Sequence, residues 1–166
     1  MIVGLSISTF TAVHVVVSLL GIFSGVVVLG GMFRSQRLPG WTALFLATTV
    51  LTSVTGFIFP SDHLLPSHIV GVISLVVLAV AILALYGYRR AGSWRWIYVA
   101  SAGVALYLNV FVGVVQAFQK LPFLQPLAPT QSEPPFLITQ LVVLALFVVL
   151  TVVAAIRFHH EPLRVA

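Results

Sequence analysis

Five long apolar runs alternate with short polar segments along the chain, and the charged residues fall almost entirely in the segments between them. An apolar stretch of about 20 residues, rising 1.5 Å per residue, covers the roughly 30 Å of hydrocarbon in a bilayer. The pattern therefore predicts membrane-spanning helices at 8–33, 40–59, 67–88, 95–118 and 136–157. Helical form follows from the solvent, because each backbone N–H and C=O in lipid must find a partner within its own segment or in a closed barrel. The many Val and Ile residues do not argue against it, since strand propensity is context-dependent and measured in water.

Four of the predicted helices carry a face of small and polar residues. Thr11, His14, Ser18, Gly21 and Gly25 follow one another in steps of three and four on the first helix, as Thr49, Ser53 and Gly56 do on the second. The third has Ser67, Gly71 and Ser74 with His68 beside them, and the fourth has Ala102, Ala105, Asn109, Gly113 and Gln116. Small residues at helical spacing let membrane helices approach closely, so packing alone accounts for most of them. The fifth helix is apolar on nearly every face after Gln140. The expected fold is all-α: a polytopic membrane protein of five transmembrane helices, with a four-helix core from helices 1–4 and a peripheral fifth. Residues 1–166 read as one bundle, because no linker is long enough to divide it. Residues 119–135 carry Pro122, Pro126 and Pro129 ahead of Pro134 and Pro135, and read as a stiff lid on the outer surface.

Charge sets the orientation. Arg34 and Arg37 lie between helices one and two, Arg89, Arg90 and Arg95 between three and four, and Arg157 and Arg164 after helix five. Lys120 alone among the eight Lys and Arg residues falls on the other side, with Asp62 and Glu133. The positive-inside rule then puts the N-terminus outside and the C-terminus in the cytoplasm of a multi-pass protein of the cell inner membrane. Trp41, Trp94 and Trp96 border the basic loops, as rings anchored at the inner interface would. The net charge of +5 is explained by topology, and it describes loop anchors and not a continuous basic surface for nucleic acid. With 60% hydrophobic and 7% charged residues the lipid bilayer is the chain's solvent. The first run has no basic stretch ahead of it, so it reads as a retained helix and not a cleaved signal. The absence of cysteine removes thiolate, disulfide and iron–sulfur chemistry, leaving redox work to a bound cofactor.

Distance from the inner arginines gives the depth of each polar group. His14, His68 and Gln116 each lie about 20 residues from Arg34, Arg89 and Arg95 respectively, hence roughly 30 Å from the inner interface, with Asn109 about 10 Å deeper than that layer. Asp62, His63, Lys120 and Glu133 belong to the same outer mouth. Helices one and three occupy diagonal corners of an up-down-up-down bundle, which would set His14 and His68 at equal height across the core.

Three readings follow. Two imidazoles can supply both axial ligands of a haem b with glycines making room for the ring, giving electron transfer with a quinol. Gln116 or Asn109 would orient an imidazole or a quinol hydroxyl, and Lys120 or His63 would pair with a propionate. The resemblance to membrane b-type cytochromes is one of architecture, and no motif carries it residue by residue. Alternatively His14, His63, His68 and Asp62 would hold a transition-metal ion. The third reading is a non-catalytic accessory or scaffold subunit of a membrane complex, or a small lipid-binding protein. It is favoured by the scattering of Asp62, Glu133 and Glu161, and by Ser61, Asp62 and His63 being consecutive, so that no catalytic pair or triad can be named. His159, His160 and Glu161 read as a solvated tail on the opposite side.

Overall fold

A computed structural model describes residues 6–59 and 66–158. Asp62, His63 and the His159–Glu161 run lie outside the described residues. The elements are α1 (Ile7–Phe33), α2 (Pro39–Gly56), α3 (Pro66–Ile82), which continues into a π-helical turn at Leu83–Gly87, α4 (Trp94–Lys120), a short 3-10 turn at Gln125–Leu127, and α5 (Pro134–Arg157). No strand occurs among the described residues. By length and composition α1, α3 with its π turn, α4 and α5 are each able to cross a membrane. The second helix, which ends at Gly56 and not at 59, is shorter and rich in threonine.

Local chemistry sets the ends. Ser6 caps α1 by accepting the Thr9 N–H at 3.1 Å. Pro39 begins α2, where its missing N–H costs nothing, after Leu38 turns the chain through a left-handed conformation at φ 36°. Glu133 precedes Pro134 and Pro135 at the start of α5. At the end of α3 the hydrogen bonds reach further back along the chain than in an α-helix: Tyr88 N–H donates to Leu83 O at 2.9 Å and Arg90 N–H to Ala84 O at 2.8 Å. The chain then reverses through Arg89, Arg90 and Gly92, all with positive φ.

The first four helices form a ring in which α1 meets α2 and α4, and α3 meets α2 and α4. The short diagonal is α2–α4, which touch, while α1 and α3 take the far corners with no substantial contact between them. Packed against α4 and α1, α5 buries Phe136, Gln140, Phe147 and Ala154 and exposes most of its remaining surface. The apolar core sits toward the arginine-bearing end, around Phe45, Leu78, Tyr98, Val99 and Leu106. Within it, a cavity of about 10 Å³ beside Gly25 and Gly103 has room for about one water and no larger ligand. At the other end a smaller cluster of Phe118, Ala128 and Phe136 holds the 121–133 segment onto α4 and α5, and the Gln131 amide donates to Val115 O at 3.3 Å. The proline-rich segment thus fastens to α4 and α5.

Candidate functional site at the histidine-bearing end of the bundle

Between the apolar core and the ends of α1 and α2, the α1–α2 seam changes from hydrocarbon to hydrogen bonds. His14 Nδ1 lies 2.8 Å from Thr55 Oγ1, and the Thr55 hydroxyl lies 2.7 Å from Leu51 O as its donor. A hydroxyl has one proton, so with that proton committed to the α2 backbone, Thr55 accepts from His14. The imidazole then carries its proton on Nδ1 and presents a basic Nε2, for which no hydrogen-bond partner exists among the described residues. The ring also meets Phe59 edge-on at 5.2 Å, and Phe59 in turn meets Phe10 at 5.1 Å. One turn deeper, Ser18 donates to His14 O at 2.9 Å and lies 3.4 Å from Thr52 Oγ1.

His68 is buried on the other flank of α2. Its ring stacks on Phe57 with centroids 5.6 Å apart and planes 16° from parallel. Phe57 also fills the notch left by Gly71, where a Cβ would come within 3.0 Å of the Phe57 ring. Thr55 and Phe59 therefore meet His14, and Phe57, between them in sequence, meets His68. The two histidines grip the end of α2 from two sides. As packed, the space beside Gly71 that a haem ring would use is taken by Phe57.

The remaining predicted site residues disperse. Asn109 is buried at the level of Gly21; its Nδ2 and the hydroxyls of Thr48 and Thr49 lie 2.9, 3.2 and 3.2 Å from where a Gly21 Cβ would stand. Among the described residues neither Asn109 Nδ2 nor Thr49 Oγ1 has a hydrogen-bond partner. Gln116 and Lys120 are exposed along the same α4 face. Glu133 is engaged in its own turn, accepting from the Thr130 N–H and hydroxyl on Oε1 and from the Ser132 N–H on Oε2. Among the described residues no three His, Asp or Glu side chains gather as metal ligands would.

The sequence reading named the histidines and missed what holds them. Thr48, Thr52 and Thr55 form a second threonine stripe on α2, one step from the Thr49–Ser53–Gly56 stripe, and this second stripe faces α1. Its three- and four-residue spacing was the available signal. Ser53 instead faces α3, bonding to Ser74 at 3.1 Å. Comparison of the chain with protein-family models, curated proteins and solved structures finds no match.

Proposed function

We propose that this protein is a non-catalytic accessory subunit of a membrane assembly, in which His14 and His68 fasten the outer end of α2. The observation that supports this most directly is the placement of the two imidazoles: each engages α2, and Phe57 lies in the one glycine notch beside His68. A short, threonine-rich helix has less apolar surface to hold it in lipid than its neighbours. Polar and aromatic clamps at its end compensate, each inter-helix hydrogen bond contributing about 0.6 kcal/mol on average. An apolar trough of about 590 Å³ along α2, lined by Ala43, Ala47, Val50 and Val54 with Ile82 and Tyr86 of the α3 element, offers a face on which an assembly partner could lie.

The test is extraction from native membranes in a mild detergent followed by mass determination of the intact particle. A defined complex larger than the chain is expected. A particle of the chain alone, under conditions that preserve other complexes of that membrane, would sink the subunit reading.

A second reading rests on a different observation, the basic Nε2 of His14 with Nδ1 anchored by Thr55, which is the state that a metal-ligating histidine adopts. Here His14 and His68, with roles for Gln116, Asn109 and Lys120, would serve haem b and a quinol, or His14 and His68 would join His63 and Asp62 around a transition-metal ion. Haem would supply one-electron transfer, and Phe57 would have to leave the Gly71 notch to admit it. Under the haem reading, protein from haem-replete cells shows a Soret band that His14→Ala and His68→Ala each abolish. Under the metal reading, elemental analysis finds a bound ion that depends on His63. A colourless, metal-free preparation removes both.

A further inference from the structure

The segment that joins α4 to α5 is apolar on two sides. Its inward side, Leu124 and Ala128, packs with Phe118 of α4 and Phe136 of α5. The other side presents Leu121, Phe123 and Leu127, exposed to 39%, 69% and 51%, and Phe123 is the most exposed large apolar side chain among the described residues. Apolar side chains scattered singly over a surface are ordinary, whereas several gathered on one short stretch mark a face that something apolar covers. The backbone of the stretch has little need of water either. The N–H groups of Leu121, Leu124, Gln125, Leu127 and Ala128 donate to carbonyls of the segment itself or of α4, and Pro122, Pro126 and Pro129 have no N–H to satisfy. Unpaired backbone donors are what keep irregular chain out of an apolar layer, and here turn bonds and prolines have removed most of them.

Position indicates what covers the face. With 27 residues, α4 is about 40 Å long and outreaches the roughly 30 Å of hydrocarbon. Its tryptophan- and arginine-bearing start marks one boundary, so its end at Lys120, and the segment that follows, reach the headgroup layer of the other. The 3-10 turn at Gln125–Leu127 meets α4 and makes no substantial contact with α1, α2 or α3, which sets the segment on the flank of the bundle and away from the His14–Thr55 seam. Leu137, Ile138 and Leu141, at the start of α5, are exposed too, so the apolar face runs on to the lipid side of a helix able to cross the membrane. The polar side chains that follow, Thr130, Ser132 and Glu133, bond to one another in a turn of their own.

We propose that the segment from Leu121 to Leu127 is an interfacial membrane anchor, with Leu121, Phe123 and Leu127 inserted among lipid chains just beneath the headgroups at the histidine-bearing end. The partner is the bilayer surface itself, and because the inserted face is uncharged it takes a neutral surface as well as an anionic one. This part of the proline-rich segment is thus a foot in the lipid and not a lid in the water. The anchor is independent of what the histidines bind and of whether the chain joins an assembly.

The chain has no cysteine of its own, so single cysteines can carry a nitroxide label in the full chain, reconstituted without other proteins into phosphatidylcholine vesicles. Electron paramagnetic resonance then compares collisions with oxygen, which concentrates in lipid, and with a nickel chelate, which stays in water. Phe123→Cys and Leu127→Cys are expected to favour oxygen over nickel severalfold, as Leu141→Cys on the lipid side of α5 does, while Ser132→Cys in the polar turn favours nickel. All four positions are exposed, so the labels leave the packing intact. Vesicles containing phosphatidylglycerol should give the same result. Adding Phe123→Asp to Leu127→Cys is expected to move the Leu127→Cys label toward nickel, since a carboxylate resists entry into an apolar layer. Nickel access at Phe123→Cys equal to that at Ser132→Cys would put the face in water and overturn the anchor. Access to neither reagent would bury the face against protein, a second copy of the chain being the one protein present, and would overturn it equally.

Discussion

A methyl group added at Gly103 would lie 2.3 Å from Oγ1 and 2.7 Å from Cγ2 of Thr151, and Thr151 is β-branched, with little rotamer freedom to yield. Gly103→Ala is expected to loosen α5 from α4 at a cost of about 1–3 kcal/mol, measured by denaturant unfolding in micelles. Adding Thr151→Ala should recover most of the loss; a double variant no more stable than Gly103→Ala would place the strain elsewhere. Asn109 makes the opposite case. Its amide nitrogen is buried beside Gly21 without a partner, so Asn109→Leu removes a desolvated donor and keeps similar bulk. The variant is expected to be as stable as wild type or more so, by about 1 kcal/mol. Marked destabilisation in the same unfolding assay would mean that the amide is hydrogen-bonded in the membrane after all, to water or to a ligand.

Among the elements, α5 has the most explicit start signal. Desolvation is the largest single influence on the Glu133 carboxyl and raises its pKa, but the bonds from Thr130 and Ser132 together outweigh it and hold the carboxyl below its ordinary value. A carboxyl depressed on folding contributes stability that is present above its unfolded pKa and lost as pH falls through the folded one. The amides of Phe136 and Leu137, both bonded to Glu133 O, should therefore lose hydrogen-exchange protection on acidification through that range, and Glu133→Gln should flatten the dependence. A wild-type profile with no such loss would show the turn to be held by its prolines and backbone bonds alone. Helices are the most legible elements of this chain, because lipid demands about 20 apolar residues for each crossing and the sequence displays those runs openly. The π turn at Leu83–Gly87 was not legible, since Leu-Ala-Leu-Tyr-Gly is compatible with an ordinary helical ending and the bond from Tyr88 N–H back to Leu83 O is what distinguishes it. The spacing directed His14 and His68 to one end of the bundle, where they meet Thr55 and Phe57 respectively, but which helix each ring touches was not readable. Depth follows from counting residues along one helix, whereas azimuth depends on how α2 packs between two others, and here Phe57 and Thr55 decided it.

For the whole molecule, the absence of native cysteine makes topology directly measurable. Single cysteines at Gln36, Ile58, Gly92 and Gln131 can be labelled from either side with an impermeant maleimide. Five crossings predict Gln36→Cys and Gly92→Cys reactive from the cytoplasm, and Ile58→Cys and Gln131→Cys from outside. Reaction of Ile58→Cys from the cytoplasmic side would reduce the crossings to four and make α2 a re-entrant or interfacial helix. The basic end of the same molecule is also where the end of α5 meets the α1–α2 loop and the start of α4. The Ser35 hydroxyl donates to Arg157 O at 2.7 Å, Arg95 donates to Phe158 O, and the Phe158 ring lies over Arg90. Loops made earlier in translation thus receive their partners from the end of the fifth helix, made later. Until the ribosome has released the fifth helix, the clasp that closes the base has only one half. Closure of the base accordingly waits on the fifth helix, and a chain cut short before residue 157 would lack both of these bonds.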